Sequence, residues 1–305
     1  MAAGRLDPAQ REAFLKNGYL VIPGFFNKDA VEAMLTRAKQ LIEEVDLETH
    51  PMTAFTTAEQ GRHIGDQYFL DSSSRISAFF EPSALDPANP KKLVVPKQQS
   101  INKIGHALCQ LDPVFKEQTL ANKGLQDLAR DLAVHKDPLV LQSMIICKQP
   151  RIGGKVPIHN DSTFLYTNPP SAVGFWIALE PCTAENGALS FLPGSHKRKT
   201  ITKRFVRLPD GGTGFLDIPG AQDEADTDWE KEPGWKQECC GAGDLVIIHG
   251  GVQHQSPHNL SDKTRFIYTF HMIEGAEGFE YDHQNWLQPS ADLPLPHLLG
   301  HGQVA

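Results

Sequence analysis

The stretch Arg265-Phe-Ile-Tyr-Thr-Phe-His-Met272 decides the fold class, because it has the composition of a buried strand. β-Branched and aromatic residues favour strands. Four more short segments have this composition, and Gly and Pro clusters separate them: Leu139–Lys148, Val173–Leu179, Ala188–Leu192 and Leu245–His249. Short strands between such turn signals are typical of an antiparallel sandwich or barrel. The sequence therefore predicts a mainly β core over about residues 138–274.

The amino-terminal part, to about residue 135, is predicted to be mostly helical. Asp7 and Gln10 form a capping box for a helix that Gly18 ends. Over residues 28–45 the apolar side chains recur every three or four positions, which predicts an amphipathic helix. A further helical region is predicted over about residues 112–134. We expect these helices to lie outside the barrel.

Residues 197–240 interrupt the β-rich region with little periodicity. They contain a basic run followed by an acidic run, and the sequence predicts a long loop there. Loops of this length often cover a functional site, although charge runs are also common on solvated surfaces. Since no linker separates two cores, we expect residues 1–305 to form a single domain.

Composition and charge restrict the class of protein. The chain has 29 basic and 37 acidic residues, a net charge of −8, which argues against a nucleic-acid partner. No apolar run approaches the roughly 18 residues of a membrane span, so no membrane partner is expected. Five unpatterned cysteines and the absence of a visible secretory signal favour a reduced, cytoplasmic protein. A monomer is the simplest expectation.

The tripeptide His159-Asn160-Asp161 is the first chemical signal. On an extended segment, residues i and i+2 share a face, so an imidazole and a carboxylate converge. One more imidazole would complete the two-His, one-carboxylate triad that suits ferrous iron and leaves positions open for a co-substrate and oxygen. The pattern alone is weak, because His135-Lys136-Asp137 repeats it in a predicted turn before a proline. The third ligand has four candidates: His249, His254, His258 and His271.

Arg265 is predicted to share one strand face with Ile267, Thr269 and His271. An arginine that points into an apolar barrel requires an anion, and a dicarboxylate would supply one through a bidentate contact. A strand arginine is more often on the surface, so this interpretation depends on the metal site.

The stretch Asn186-Gly-Ala-Leu-Ser-Phe-Leu-Pro-Gly-Ser-His196 resembles the N-G-x-L-x-x-x-P-G-S-H hallmark of the phytanoyl-CoA dioxygenase family. The similarity extends over most of the chain. It is also carried by Ser100–Leu108, Gln142–Met144, Lys148–Pro150, Thr163–Thr167 and Asn285–Pro289. The resemblance implies a double-stranded β-helix of the jelly-roll or cupin type, with flanking N-terminal helices.

The resemblance also implies site residues. It assigns iron to His159, Asp161 and His254, and the distal carboxylate of 2-oxoglutarate to Arg265 with help from Ser256. It implies three further pocket residues for this co-substrate: Lys103, Met144 and Trp176.

The function implied by the resemblance is an Fe(II)- and 2-oxoglutarate-dependent dioxygenase, with ascorbate as a possible reductant. Such an enzyme uses O2 to hydroxylate a small organic substrate and releases succinate and CO2. Two alternatives stay open. A zinc hydrolase can use the same triad with a bound water, and a non-catalytic barrel can bind a ligand without a metal.

Overall fold

Two antiparallel sheets form the centre of the computed structural model, which describes residues 6–56, 64–199, 201–221 and 227–300. The strands in chain order are β1 (Tyr19–Ile22), β2 (Ile76–Phe80), β3 (Leu85–Asp86), β4 (Asn89–Leu93), β5 (Ile101–His106), β6 (Pro138–Lys148), β7 (Val156–His159), β8 (Thr167–Asn168), β9 (Val173–Ala178), β10 (Leu189–Phe191), β11 (Lys203–Arg207), β12 (Thr213–Asp217), β13 (Lys236–Glu238), β14 (Leu245–His249), β15 (His254–Ser256), β16 (Arg265–Glu274) and β17 (Glu280–Tyr281). The α-helices are α1 (Pro8–Asn17), α2 (Lys28–Glu43), α3 (Gln67–Leu70), α4 (Leu108–Leu111), α5 (Pro113–Thr119), α6 (Lys123–Leu132) and α7 (Asp161–Phe164).

The strand order follows the topology of a barrel built from distant segments. The larger sheet has the order β1-β14-β9-β16-β6-β5-β2, and the smaller sheet has the order β13-β10-β15-β7. Strands far apart in sequence therefore become neighbours, as β14 lies between β1 and β9. This arrangement confirms the predicted mainly β core with flanking helices.

The two faces of strand β16 have different surroundings: one packs in the core beneath the helices, and the other borders the cavity. Phe266, Tyr268 and Phe270 belong to the core that the helices cover, together with buried residues of α2, α5 and α6. The alternate residues face the smaller sheet and the cavity, as the sequence predicted. The two sheets are in contact, since Tyr19 stacks on Phe191 with ring centroids 4.2 Å apart.

The predicted helices are present with small changes of boundary. Asp7 and Gln10 form the capping box of α1, and Gly18 ends it with a φ of +82°. Helix α2 buries the expected apolar face. The third helical region is split into α5 and α6, and the Asn122 side chain caps α6 by accepting from the Leu125 amide.

The amino-terminal part is less helical than the sequence predicts, because β2 and β5 extend the larger sheet beside β6. Strand β5 has the polar sequence Ile-Asn-Lys-Ile-Gly-His, in which Lys103 and His106 face a cavity rather than the apolar core. A strand with polar side chains on its cavity face lacks the apolar alternation that identifies strands in sequence.

Residues 197–240 are not one long loop. Strands β11 and β12 form a hairpin in which Phe205 pairs with Phe215, and β13 joins the smaller sheet. The hairpin was missed because its apolar residues are embedded among charges, one of which, Arg204, pairs with Asp282 at 2.7 Å.

Within the described ranges, no helix is both long and apolar enough to cross a membrane.

The helix layer gives a stability prediction. Leu128 of α6 is 1% exposed and belongs to the core beneath the helices. We expect Leu128→Ala to lower the free energy of unfolding by about 2–5 kcal/mol, because it leaves a cavity in a packed core. Leu111→Ala is the control: that side chain is 47% exposed, so its effect should stay within about 0.5 kcal/mol. Urea unfolding followed by circular dichroism measures both, and equal effects would contradict this packing.

Candidate active site

One cavity of about 650 Å³ lies between the two sheets, and residues of the β11–β12 hairpin and of the 227–231 segment also line it. All eight site residues implied by the resemblance line this cavity: Lys103, Met144, His159, Asp161, Trp176, His254, Ser256 and Arg265. The structure therefore brings together positions that span more than 160 residues of sequence.

The two histidines of the triad are placed by strand pairing. His159 ends β7 and lies directly opposite His254, which begins β15. The chain then turns into α7, because Asn160 caps that helix and makes Asp161 its first residue. The Nε2 atoms of both histidines lie 3.7 Å from Asp161 Oδ1. These three side chains form a group that could hold a metal ion, with one ligand atom each and all three atoms within 4.8 Å of one another.

Backbone carbonyls fix the tautomer of both histidines. His159 Nδ1 lies 2.8 Å from the Pro157 carbonyl, and His254 Nδ1 lies 3.1 Å from the Val252 carbonyl. Because a carbonyl oxygen only accepts, each Nδ1 carries the proton and each Nε2 presents a lone pair to the site. Burial lowers the pKa of His159 to about 4, which keeps this imidazole neutral near pH 7.

Asp161 supplies the negative charge of the group. Burial by itself would raise the pKa of Asp161, but the imidazoles of His254 and His271 outweigh that effect and lower it. Two imidazoles and one carboxylate are a ligand set for a divalent transition metal, with positions left open for other molecules. The residues present therefore fit a metal ion.

The structure distinguishes between the candidates for the third ligand. His254 joins the triad, and His271 lies behind Asp161 with its Nε2 3.3 Å from Oδ2. His249 points elsewhere: its Nδ1 accepts from the Gly251 amide, and its ring packs on His196.

Arg265 is a buried cation that forms no ion pair with the described residues. Its side chain is 1% exposed, and none of the described carboxylates lies within ion-pair distance of it. Nη1 donates to the Gly187 carbonyl and to Ser256 Oγ, the latter at 3.1 Å, while Nε has no hydrogen-bond partner among the residues that the structure describes. Burial lowers the pKa of Arg265, which reflects the cost of an uncompensated charge. A buried guanidinium that borders a cavity in this way favours an anionic ligand.

The hallmark motif has a structural reason. The Asn186 side chain closes a turn by accepting from the Thr183 amide at 2.7 Å and donating to the Pro181 carbonyl at 2.8 Å. Gly187 follows with a φ of +93°, and a Cβ there would lie 2.7 Å from Lys148 Cδ. The turn thereby presents the Gly187 carbonyl to Arg265.

Three residues, one on each of three neighbouring strands, form a row between the metal group and Arg265. Met144 of β6 and Trp176 of β9 both pair with Thr269 of β16. The Trp176 ring also lies 5.7 Å from the Arg265 guanidinium. These side chains form a wall of the cavity.

Lys103 reaches the cavity from β5. Its Nζ lies 3.3 Å from the centre of the Phe55 ring. Burial lowers the pKa of Lys103 to about 7, and the nearby Glu81 acts in the opposite direction. An amine in this state can gain a proton when an anion approaches.

Several cavity residues were missed in the sequence. Lys148 continues the inward face of β6, and its Nζ donates to the carbonyls of Gly154 and Pro257. The alternation along β6 could have identified it. Phe205 and Phe215 of the hairpin pack on Phe164, with ring centroids 5.3 and 5.8 Å from it and 5.0 Å from each other. They lie in a charged stretch, where no sequence signal marked them.

Comparisons with known proteins agree over nearly the whole chain. The family model described as phytanoyl-CoA dioxygenase matches residues 14–267. Phytanoyl-CoA dioxygenase domain-containing protein 1 of Bos taurus is 43% identical over 300 residues, covering 96% of this chain and 98% of the relative. A phytanoyl-CoA dioxygenase of Arabidopsis thaliana is 41% identical over 293 residues, covering 96% and 97%.

Solved structures share the fold at lower identity. The non-heme alpha-ketoglutarate-dependent carbocyclase SnoK from nogalamycin biosynthesis superposes with a TM-score of 0.60 and 20% identity, covering 90% of this chain and 86% of SnoK. EctD from S. alaskensis, solved with 2-oxoglutarate and 5-hydroxyectoine, has a TM-score of 0.58 and 18% identity, covering 90% and 78%. These likenesses confirm the predicted jelly-roll type of double-stranded β-helix.

The metal group gives a direct prediction. Asp161→Ala should abolish stoichiometric binding of Co(II), used as a probe ion, because it removes the only anionic ligand of the triad. The matched control is Asp137→Ala, which changes the aspartate of the other His-x-Asp tripeptide and contacts His297 instead. Absorption titration of the metal-free proteins measures both. Unchanged binding by Asp161→Ala would contradict the site.

Proposed function

This chain belongs to the phytanoyl-CoA dioxygenase family, and from that premise we propose that it hydroxylates an organic substrate with Fe(II) and 2-oxoglutarate. It is a 2-oxoglutarate-dependent dioxygenase by family. When bound, Fe(II) and 2-oxoglutarate together with O2 supply the oxidation of an unactivated C–H bond, with succinate and CO2 as by-products.

In this proposal His159, Asp161 and His254 hold the iron. The tautomers support it, because both Nε2 atoms offer lone pairs on the side of Asp161 Oδ1. Three protein ligands leave the cavity side of the ion for the co-substrate and oxygen.

Arg265 and Ser256 bind the distal carboxylate of 2-oxoglutarate in this proposal. The observation that carries the function is the buried guanidinium of Arg265, which lies in the same cavity as the triad and has no carboxylate partner in the part of the chain that the structure describes. A diacid that reaches from the metal to Arg265 would neutralise it. Met144 and Trp176 would flank the chain of the diacid, and Lys103 would pair with one of its carboxylates.

The substrate would enter on the side of the β11–β12 hairpin. Phe164, Phe205 and Phe215 form an aromatic wall there, and Phe69 and Trp286 line the same cavity. Apolar walls bind the apolar part of a ligand and keep water away from the reacting centre. We propose a small-molecule substrate that presents an apolar carbon to the metal.

A cytoplasmic location and a monomeric state are part of the same proposal. All five cysteines are unpaired, which is usual in the reducing cytoplasm. All eight proposed site residues come from one chain, so a monomer can form the complete site.

Each alternative function leaves one feature of the cavity without a role. A zinc hydrolase has no need of a buried guanidinium, and a non-catalytic barrel has no need of the metal triad. Elemental analysis after anaerobic Fe(II) or Zn(II) loading, combined with a thermal shift on 2-oxoglutarate addition, distinguishes the three.

The central experiment measures succinate formed from 2-oxoglutarate with Fe(II), ascorbate and a panel of substrates. Wild type should release succinate, and panel compounds with an apolar part should raise the rate. His159→Ala should stay at background, since it loses a metal ligand. Background rates for wild type with every compound would contradict the proposal.

Arg265 gives a separate prediction. Arg265→Leu should raise the 2-oxoglutarate concentration needed for half-maximal succinate release by roughly 30-fold or more, the factor for loss of about 2 kcal/mol in a buried charge contact. The control is Arg151→Leu, which changes an exposed arginine paired with Asp262. Co(II) binding by both variants should match wild type. An unchanged 2-oxoglutarate requirement in Arg265→Leu would remove Arg265 from the co-substrate site.

A further inference from the structure

The two carboxylate oxygens of Asp161 have different surroundings. Oδ1 faces the Nε2 atoms of His159 and His254, each at 3.7 Å. Oδ2 is buried on the other side, 3.3 Å from His271 Nε2, and accepts no hydrogen bond from the described residues. We propose that His271 is a positioning residue, which donates to Oδ2 when the metal binds and so keeps Oδ1 as the ligand atom. This inference rests on the proposed function.

The groups on either side of His271 indicate which of its nitrogens would carry the proton. Gln142 Nε2 lies 3.4 Å from His271 Nδ1. Since a carboxylate oxygen only accepts, His271 can bond to Asp161 only with the proton on Nε2. Nδ1 is then an acceptor, which the Gln142 amide nitrogen satisfies. His271 thus takes the opposite tautomer from His159 and His254, whose Nδ1 atoms donate to carbonyls.

The sheet register places these groups in one row. His271 of β16 pairs with Gln142 of β6 on one side and with Gly174 of β9 on the other. Gly174 has no side chain to fill the gap between His271 and Asp161. A Cβ there would lie 3.1 Å from His271 Nε2 and 3.3 Å from Asp161 Oδ2. A side chain at this position would therefore crowd both groups and push them by a few tenths of an ångström.

The consequence concerns the number of open positions on the metal. A carboxylate that rotates freely can bind through both oxygens and occupy a position that a small molecule needs. A hydrogen bond from His271 to Oδ2 restrains that rotation and favours binding through Oδ1 alone. Hydrogen bonds of this kind to ligand groups typically change metal affinity by about 10–100-fold.

The test uses Co(II) titration of the metal-free protein, followed by absorption spectroscopy. His271→Leu should weaken Co(II) binding by about 10–100-fold and change the visible spectrum of the bound ion. His271→Gln retains an N–H donor and should recover a large part of the affinity. Gly174→Ala should also weaken binding, although it removes no polar group. The control is His249→Leu, which changes a partly buried imidazole that packs on His196 rather than on the triad.

The outcomes separate this inference from the function on which it rests. Wild-type affinity and spectrum in His271→Leu would overturn the positioning role alone. Equal weakening in His271→Leu and His271→Gln would also overturn it, because a packing role alone predicts no rescue by a donor. Failure of the wild-type protein to bind Co(II) would overturn the proposed metal site itself.

Discussion

The burial of charged groups inside an apolar barrel is the constraint on which the rest of this structure depends. A buried ion is costly unless hydrogen bonds or an opposite charge compensate it. Lys148 is compensated by two carbonyls, and Asp161 by the imidazoles around it. Arg265 receives a carbonyl and a hydroxyl but no carboxylate among the described residues. The fold thus maintains a site whose charge balance is completed by an anionic ligand.

The register of β9, β16 and β6 arranges the side chains of the site in successive rows along one face of the sheet. Across β9, β16 and β6, one row holds Gly174, His271 and Gln142, and the row two residues earlier on β16 holds Trp176, Thr269 and Met144. Arg265 begins β16, opposite Lys148. An extended ligand along this face would therefore contact the metal group at one end, the wall formed by Met144 and Trp176 in the middle, and the Arg265 guanidinium at the other end. The β11–β12 hairpin adds the aromatic wall from outside the barrel.

The sequence predicted those features that depend on local pattern. Alternation along Arg265–Met272 identified the inward face of β16, and the spacing of His159 and Asp161 predicted two of the three proposed ligands. The third ligand could not be chosen from spacing, because it depends on the pairing of β7 with β15, and the family resemblance selected His254. Strand β5 and the β11–β12 hairpin were not predicted, because a cavity-facing lysine in β5 and surface charges in the hairpin obscure the alternation of apolar and polar residues that marks a strand. The position of His271 against Asp161 needed the register of β9, β16 and β6, which no single segment contains.

A crystal structure grown without oxygen, with Fe(II) and 2-oxoglutarate, tests the central claim most directly. The account predicts one ion bound by His159 Nε2, His254 Nε2 and Asp161 Oδ1, chelated by the keto acid, with the far carboxylate against Arg265 and Ser256. An ion bound at another place, or a diacid that leaves Arg265 unpaired, would contradict it.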